Sequence, residues 1–186
     1  MLLPLRENLV ESITIFFTSI TSRIGSAPCA KVKSCWVKFF ATSNDFKDVL
    51  SNSINEKITE GLDVLRERLK EYYKLGARFA IWRAVYIISE KYPSKLSIRS
   101  NAHALARYAA LVQESGMVPI VEPEVLMDGN HNAEVCFKKT SEIIKKCFEE
   151  LVFHKVELNG TILKPNMILP GTNSNQKIDN KEIAEM

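Results

Sequence analysis

Between residues 55 and 171, runs with helical spacing alternate with strand-like runs, and this alternation restricts the fold more than any other feature of the chain. Ile58, Leu62, Leu65, Leu69 and Tyr72 step by 4, 3, 4 and 3, which puts them on one helix face. Glu56, Thr59 and Glu60 stand near the expected start of this helix, and Gly76 ends it. Phe79–Ile88 is rich in β-branched and aromatic residues and reads as a strand. Pro93-Ser94 opens a second helix with Ala102, Leu105, Ala109 and Val112 on one face, closed by Gly116. Val118–Val125 reads as a strand that carries two prolines, and Asp128-Gly129 as a turn. A third helix points Cys136, Thr140, Ile143, Cys147 and Leu151 inward. A last strand is expected over Thr161–Ile168, ended by Pro170-Gly171.

Strands that alternate with helices imply a parallel sheet with right-handed crossovers. The expected class is therefore α/β, and a doubly wound sheet or a (β/α)8 barrel both fit. No Gly-x-Gly-x-x-Gly or P-loop pattern follows a strand, so a nucleotide-binding version has no support.

Residues 1–54 read differently. Apolar clusters at Ile13–Phe17 and Trp36–Phe40 are separated by Ser, Thr and Lys without a sustained period, and short helices fit only at 5–20 and 44–51. The expected organisation is an N-terminal segment of unclear fold (1–54), the alternating region (55–171) and a polar tail (172–186) with a helix start at Asn180-Lys-Glu-Ile. A net charge of +3, with basic and acidic residues interleaved, is too small to indicate nucleic acid. Ile13–Ile20 is far shorter than the roughly 20 apolar residues of a membrane span. Arg6, Glu7 and Glu11 occupy the place of a signal peptide's apolar core, so export is not expected. Cys29, Cys35, Cys136 and Cys147 show no Cys-x-x-Cys spacing and read as reduced thiols in a cytoplasmic protein. His103, His131 and His154 are scattered, and their spacing gives no expectation of a metal site.

Charge inside the strands is the informative irregularity. A parallel strand covered on both faces reads as continuous apolar sequence. Here Arg83 interrupts one strand, Glu122 and Glu124 another, and Lys164 a third. A period of 2 puts Glu122 and Glu124 on one face, and Lys164 with Asn166 on another. Functional groups in α/β folds collect at the C-terminal ends of such strands. A desolvated lysine near carboxylates suits imine chemistry. The neutral amine attacks a carbonyl, water leaves, and the iminium draws electrons from a neighbouring C–C bond. A carboxylate within reach moves the protons. Plainer readings stand beside this one: Lys164 snorkelling from a strand end, Glu122 and Glu124 on a proline-shaped surface turn, and Arg83 as a structural ion-pair partner.

At these residues the sequence resembles class I fructose-bisphosphate aldolase, the Schiff-base, metal-independent type. The matching stretches are Ile58–Asp63, Leu75–Ala80 with Trp82–Val85, Asn101–Ala109, Val118–Glu124 and Gly160–Met167, in the family's order. The resemblance implies a partial (β/α)8 TIM barrel of about three consecutive βα units, strands four to six. It implies cleavage of fructose 1,6-bisphosphate to dihydroxyacetone phosphate and glyceraldehyde 3-phosphate in glycolysis, without a cofactor. It matches Lys164 to the Schiff-base lysine, Glu122 to the general acid/base, Glu124 to a supporting carboxylate and Arg83 to a basic residue near a substrate phosphate. The implied partner is a small sugar phosphate, in the cytoplasm, with self-association also open and neither nucleic acid nor membrane expected. Two departures stand out. Ile81 takes the place of a lysine before Trp82, and Asn159 that of a glutamate before Gly160. The family's Ser-Gly-Gly phosphate loop, phosphate arginine and C-terminal tyrosine find no match, nor do its first-strand aspartate and third-strand lysine. The expectation is thus a truncated, divergent aldolase, with a catalytically inactive remnant or a binding module as the alternative.

Overall fold

The computed structural model describes residues 47–53 and 55–186, all within a unit spanning 35–186. The helix considered at 5–20, with Cys29 and Cys35, lies outside the described residues. The first described element is an antiparallel pair, β1 (Lys47–Val49) with β2 (Lys57–Thr59). This corrects the short helix considered at 44–51. The pair closes through Leu50 N–H donating to the Glu56 oxygen at 2.8 Å, around Asn52 in the left-handed region (φ 65°).

Helix α1 (Leu65–Lys74) starts later than its apolar spacing suggests. Ile58 belongs to β2, and Leu62 packs on the core from a loop. The reason is local. Gly61 (φ 116°) and Val64 (φ 56°) both have positive φ, which a right-handed helix does not allow, so the helix begins only at Leu65. Glu56 and Thr59, expected at a helix start, serve the hairpin instead. The buried Glu56 carboxylate accepts from Ser94 N–H at 2.7 Å and from the Ser94 hydroxyl, at the start of the next helix.

Strand β3 (Phe79–Tyr86), helix α2 (Lys95–Glu114), strand β4 (Val118–Val125) and helix α3 (Ala133–Phe153) follow closely as expected. Ser94 caps α2 by accepting from Ser97 N–H at 3.1 Å, and Asn132 caps α3 by accepting from Val135 N–H at 2.8 Å. After a 3-10 turn at Leu158–Gly160 comes β5 (Ile162–Leu163), and α4 (Asn180–Glu185) lies in the tail.

Strands β3, β4 and β5 form one parallel sheet in that order, so the fold is α/β. The Trp82 ring lies 5.3 Å from the Tyr108 ring of α2, which fixes the helix-covered face. By register that face carries Ala80, Trp82, Ala84 and Tyr86 of β3, opposite Pro119, Val121, Pro123 and Val125 of β4. Against them α2 brings Ala102, Leu105, Ala109 and Val112, and α3 brings Cys136, Ile143, Cys147 and Leu151, all buried. Burying a Leu- or Ile-sized side chain contributes about 1.5–3 kcal/mol, so this layer carries most of the stability. The two cysteines here are free thiols, and burial pushes the Cys147 thiol up to about 12.

The last strand is shorter than expected, because its neighbour β4 holds two prolines. Val118 and Leu126 donate their N–H groups to β3 (to Arg78 and Tyr86 oxygens), so even-numbered residues of β4 face β3 and odd-numbered ones face β5. Pro119 and Pro123 therefore remove donors only on the β5 side, and Pro165 removes another from the incoming chain. The ladder ends after Lys164 N–H donates to the Val121 oxygen at 2.9 Å. Beyond it a side chain substitutes: Asn166 Oδ1 accepts from Val125 N–H at 3.0 Å. The polar tail is partly docked, with Gly171, Thr172 and Asn173 donating to the oxygens of His131, Met127 and Gly129 at 2.8–2.9 Å.

Candidate active site

Register alone builds the site. Arg83 pairs with Glu122, and Val121 with Leu163, so Lys164 comes opposite Glu122. Arg83, Glu122 and Lys164 thus form a row across three strands, on the face turned away from the helices. One step N-terminal, Ile81, Ile120 and Ile162 form an apolar row, and one step C-terminal Glu124 stands opposite Val85. The charges sit toward the C-terminal ends of β3 and β4, where α/β folds gather their chemistry.

Two contacts organise the row. Lys164 Nζ donates to Glu122 Oε1, and Arg83 Nε donates to Glu124 Oε2. The exposures divide the labour. The Glu122 side chain is 8% exposed and that of Lys164 59%, so the acid stands behind and the amine meets solutes. Arg83 is held charged, above the ordinary guanidinium value. The Glu124 hydrogen bond is the largest cause, partial burial opposes it, and the charges of Glu124 and Glu122 add to it. Glu124 is occupied by Arg83, so the two acids have separate partners.

All four expected site residues therefore lie on one sheet face, in two contacting pairs. Glu122 is buried in β4 and not on a surface turn. Arg83 does act as an ion-pair partner, and Lys164 is solvated rather than desolvated, reaching out from the strand end as the snorkelling reading has it. Asn166 departs from its expected place on the Lys164 face. Its amide reaches Thr140 Oγ1 at 3.1 Å and Cys136 Sγ at 3.8 Å on the inner side of α3, because the chain leaves strand geometry at Pro165 and the period of 2 lapses.

Two supporting residues had escaped the sequence reading. The Thr59 hydroxyl donates to the Arg83 backbone oxygen at 2.6 Å, tying the hairpin to the site row. The β-branched Ile58-Thr59 pair was the available signal for a strand there. Gln113, near the end of α2, donates to the Glu157 oxygen at 2.8 Å and accepts from Glu157 N–H at 2.9 Å, holding the turn that delivers β5 and Lys164. Its role depends on a partner 44 residues away, and no local pattern marks it. Ile81 is 4% exposed and continues the apolar row beneath the charges.

The family model for glycolytic class I fructose-bisphosphate aldolase matches residues 43–186. The chain is 52% identical over 136 residues to a probable fructose-bisphosphate aldolase class 1 of Xylella fastidiosa, covering 73% of this chain and 41% of that protein. It is 43% identical over 169 residues to the cytosolic fructose-bisphosphate aldolase 4 of Arabidopsis thaliana, covering 91% of this chain and 40% of that one. Among solved structures it resembles the fructose-bisphosphate aldolase of Plasmodium falciparum, crystallised with TRAP and a small-molecule inhibitor. The TM-score is 0.72 at 44% identity, over 74% of this chain and 40% of that one. The chain spans about two fifths of the length of these relatives.

Proposed function

The chain belongs to the class I fructose-bisphosphate aldolase family, and from that premise we propose that its charged sheet face forms an imine with a phosphorylated ketose and cleaves it, as in glycolysis. The observation that carries this reading is the Lys164–Glu122 contact, an accessible amine on a buried carboxylate beside a C-terminal strand end. The sequential order β3-β4-β5, with α2 and α3 packed against each other, supports reading the sheet as an arc of a (β/α)8 barrel. In this reading 55–171 is the barrel arc, 1–54 an N-terminal segment of unclear fold and 172–186 a tail. The Arabidopsis relatives are named cytosolic, and cytosolic placement is proposed here too. Among the described residues no helix is long and apolar enough to cross a membrane.

The chemistry follows from the groups in place. The Lys164 lone pair attacks the ketone carbon, and a proton passes from nitrogen to oxygen to give a carbinolamine. Glu122, having taken the proton that Lys164 Nζ held against it, gives that proton to the hydroxyl, which leaves as water and yields the iminium. A carboxylate then takes the proton of the hydroxyl on the second carbon from the iminium carbon. The bond between the first and second of these carbons breaks, its electrons pass toward the iminium to make an enamine, and the hydroxyl-bearing carbon leaves as the aldehyde. Protonation at carbon and hydrolysis release dihydroxyacetone phosphate and return the free amine. Arg83 spends one N–H on Glu124 and keeps further donors for a phosphate. Glu124 fixes its direction.

Borohydride reduction in the presence of dihydroxyacetone phosphate tests the reading. The expected result is a covalent adduct on Lys164, absent in Lys164→Met and formed about 10²–10⁴-fold more slowly in Glu122→Gln. No adduct on the wild-type chain overturns it. One observation favours a second reading, a binding module that captures the ketose without turning it over. Ile81 supplies hydrocarbon where the family pattern has a cation, which removes a charge that would favour the neutral amine and bind substrate. An adduct with no aldehyde released decides for that reading.

A further inference from the structure

Away from the charged sheet face, three side chains on the helix layer present the donor set of a metal site. They are His103 of α2 and Glu150 and His154 at the end of α3. Glu150 and His154 are four residues apart, one turn along the same face. The packing of α2 against α3 brings His103 to them. His103 Nδ1 lies 3.4 Å from Glu150 Oε2, and His154 Nδ1 lies 3.9 Å from the same oxygen. The two imidazole centroids are 4.8 Å apart, and one donor atom from each of the three residues lies within 4.8 Å of the others. Ligand bonds of about 2.0–2.2 Å around a tetrahedral ion put donor atoms about 3.4 Å apart, so donors now within 4.8 Å of one another would draw together on an ion.

The surroundings prepare these donors. The Glu150 side chain is 11% exposed, yet its Oε2 faces two imidazoles. Its other oxygen, Oε1, is 3.4 Å from Lys146 Nζ, which also reaches Glu149 at 3.1 Å, so the carboxylate is oriented with Oε2 toward the histidines. His154 Nδ1 lies 2.9 Å from the Glu150 backbone oxygen. A carbonyl can only accept, so in this bond Nδ1 carries the proton and the lone pair for an ion is on Nε2. The 3.9 Å contact of Nδ1 with Glu150 Oε2 places the ring beside the carboxylate and is not itself a ligand distance. A backbone bond of this kind is what commonly orients a metal-binding histidine. His103 is half-exposed and leaves the fourth position open to water.

We propose that His103, Glu150 and His154 bind a divalent transition ion of the zinc class, which clips α2 to α3. Two imidazoles and one carboxylate suit zinc, nickel or copper, whereas calcium and magnesium ask for more oxygen ligands. The ion lies on the helix side of the sheet, so its role is independent of the imine chemistry. The histidine spacing concealed the site, because one ligand comes from a different helix.

The test is calorimetric titration of the metal-stripped full chain with Zn²⁺. One equivalent should bind. At a hundredfold excess over Kd, Tm should rise by about 5–10 °C, with no rise for Mg²⁺ at the same concentration. His103→Ala, at a half-exposed position, and His154→Ala should each weaken binding more than about tenfold. Glu142→Gln, about two turns earlier on α3 and paired with Lys139, should leave it unchanged. Co²⁺ should give a spectrum without the charge-transfer band of a thiolate ligand. No binding overturns the proposal, as does binding that survives both histidine variants, or a thiolate band.

Discussion

On the helix side of the sheet, Trp82, Ala84, Tyr86 and Val121 are buried against α2 and α3. On the other side, at the intervening positions of the same strands, stand Arg83, Glu122 and Glu124, with Lys164 reaching Glu122 from just after β5. Neighbouring residues thus have unlike tasks. The helix side gains free energy by excluding water. The charged side holds partly desolvated ions whose attraction is largely offset by the loss of their hydration. Packing on one face should therefore set stability, and the other should be alterable without unfolding the chain. The largest effect belongs to Leu105, fully buried in α2 over the sheet. Leu105→Ala should cost about 2–5 kcal/mol in urea denaturation, through lost transfer energy and the cavity left behind. A cost no greater than that of changes on the charged side would break the comparison.

The rim where the two faces meet is next. Gly171 passes so close to the Gly129 carbonyl that an added Cβ would fall well inside contact distance of backbone atoms. Gly171→Ala should push the tail off the β4–α3 loop and cost about 1–3 kcal/mol. Thr172 N–H, bonded to the Met127 oxygen, should then exchange its hydrogen faster.

Much of this was legible in the chain. The spacing of Ala102, Leu105, Ala109 and Val112 gives α2 and its buried face, and strand parity places Glu122 with Glu124. Local backbone chemistry hid the rest. Val64 in a left-handed conformation stops the first helix from reaching back to Ile58, although the apolar steps continue. Proline parity shortens β5, a consequence that appears only once the neighbouring strand is known. Long-range partners such as Gln113 with Glu157, or His103 with Glu150, leave no periodic trace. Resemblance identified Lys164 and Glu122 as partners, while their unequal exposure came from the fold.

The charged face should respond more weakly and in a different manner. Lys164→Met leaves the Glu122 carboxylate without its cation and should cost about 1 kcal/mol, since the amine half of the pair is well solvated. Adding Glu122→Gln should restore most of that loss, because the double variant buries no unpaired charge. A double-mutant cycle measures the coupling. It should shrink with added salt, whereas the Leu105→Ala cost should not. Additive effects of the two changes would mean that the contact contributes nothing to the fold.

The smallest effect is one of pH, at His131 in the loop between β4 and α3. Its side chain is buried, and burial lowers the affinity of the imidazole for a proton, with the Leu169 backbone oxygen pulling the other way. The unfolded chain takes up this proton near the ordinary value of 6.5, while the folded chain resists until a lower pH. Between those points the unfolded state binds more protons, so stability must fall as pH falls. The contribution is complete above 6.5 and is lost on acidification through that window. A single group limits the slope to about 1.4 kcal/mol per pH unit. Urea midpoints measured across the window should show the slope in the wild type and a flatter one in His131→Gln. Because the cause is desolvation and not a charge partner, added salt should leave the slope in place while it weakens the Lys164–Glu122 coupling. A slope that persists in His131→Gln would place the titrating group elsewhere.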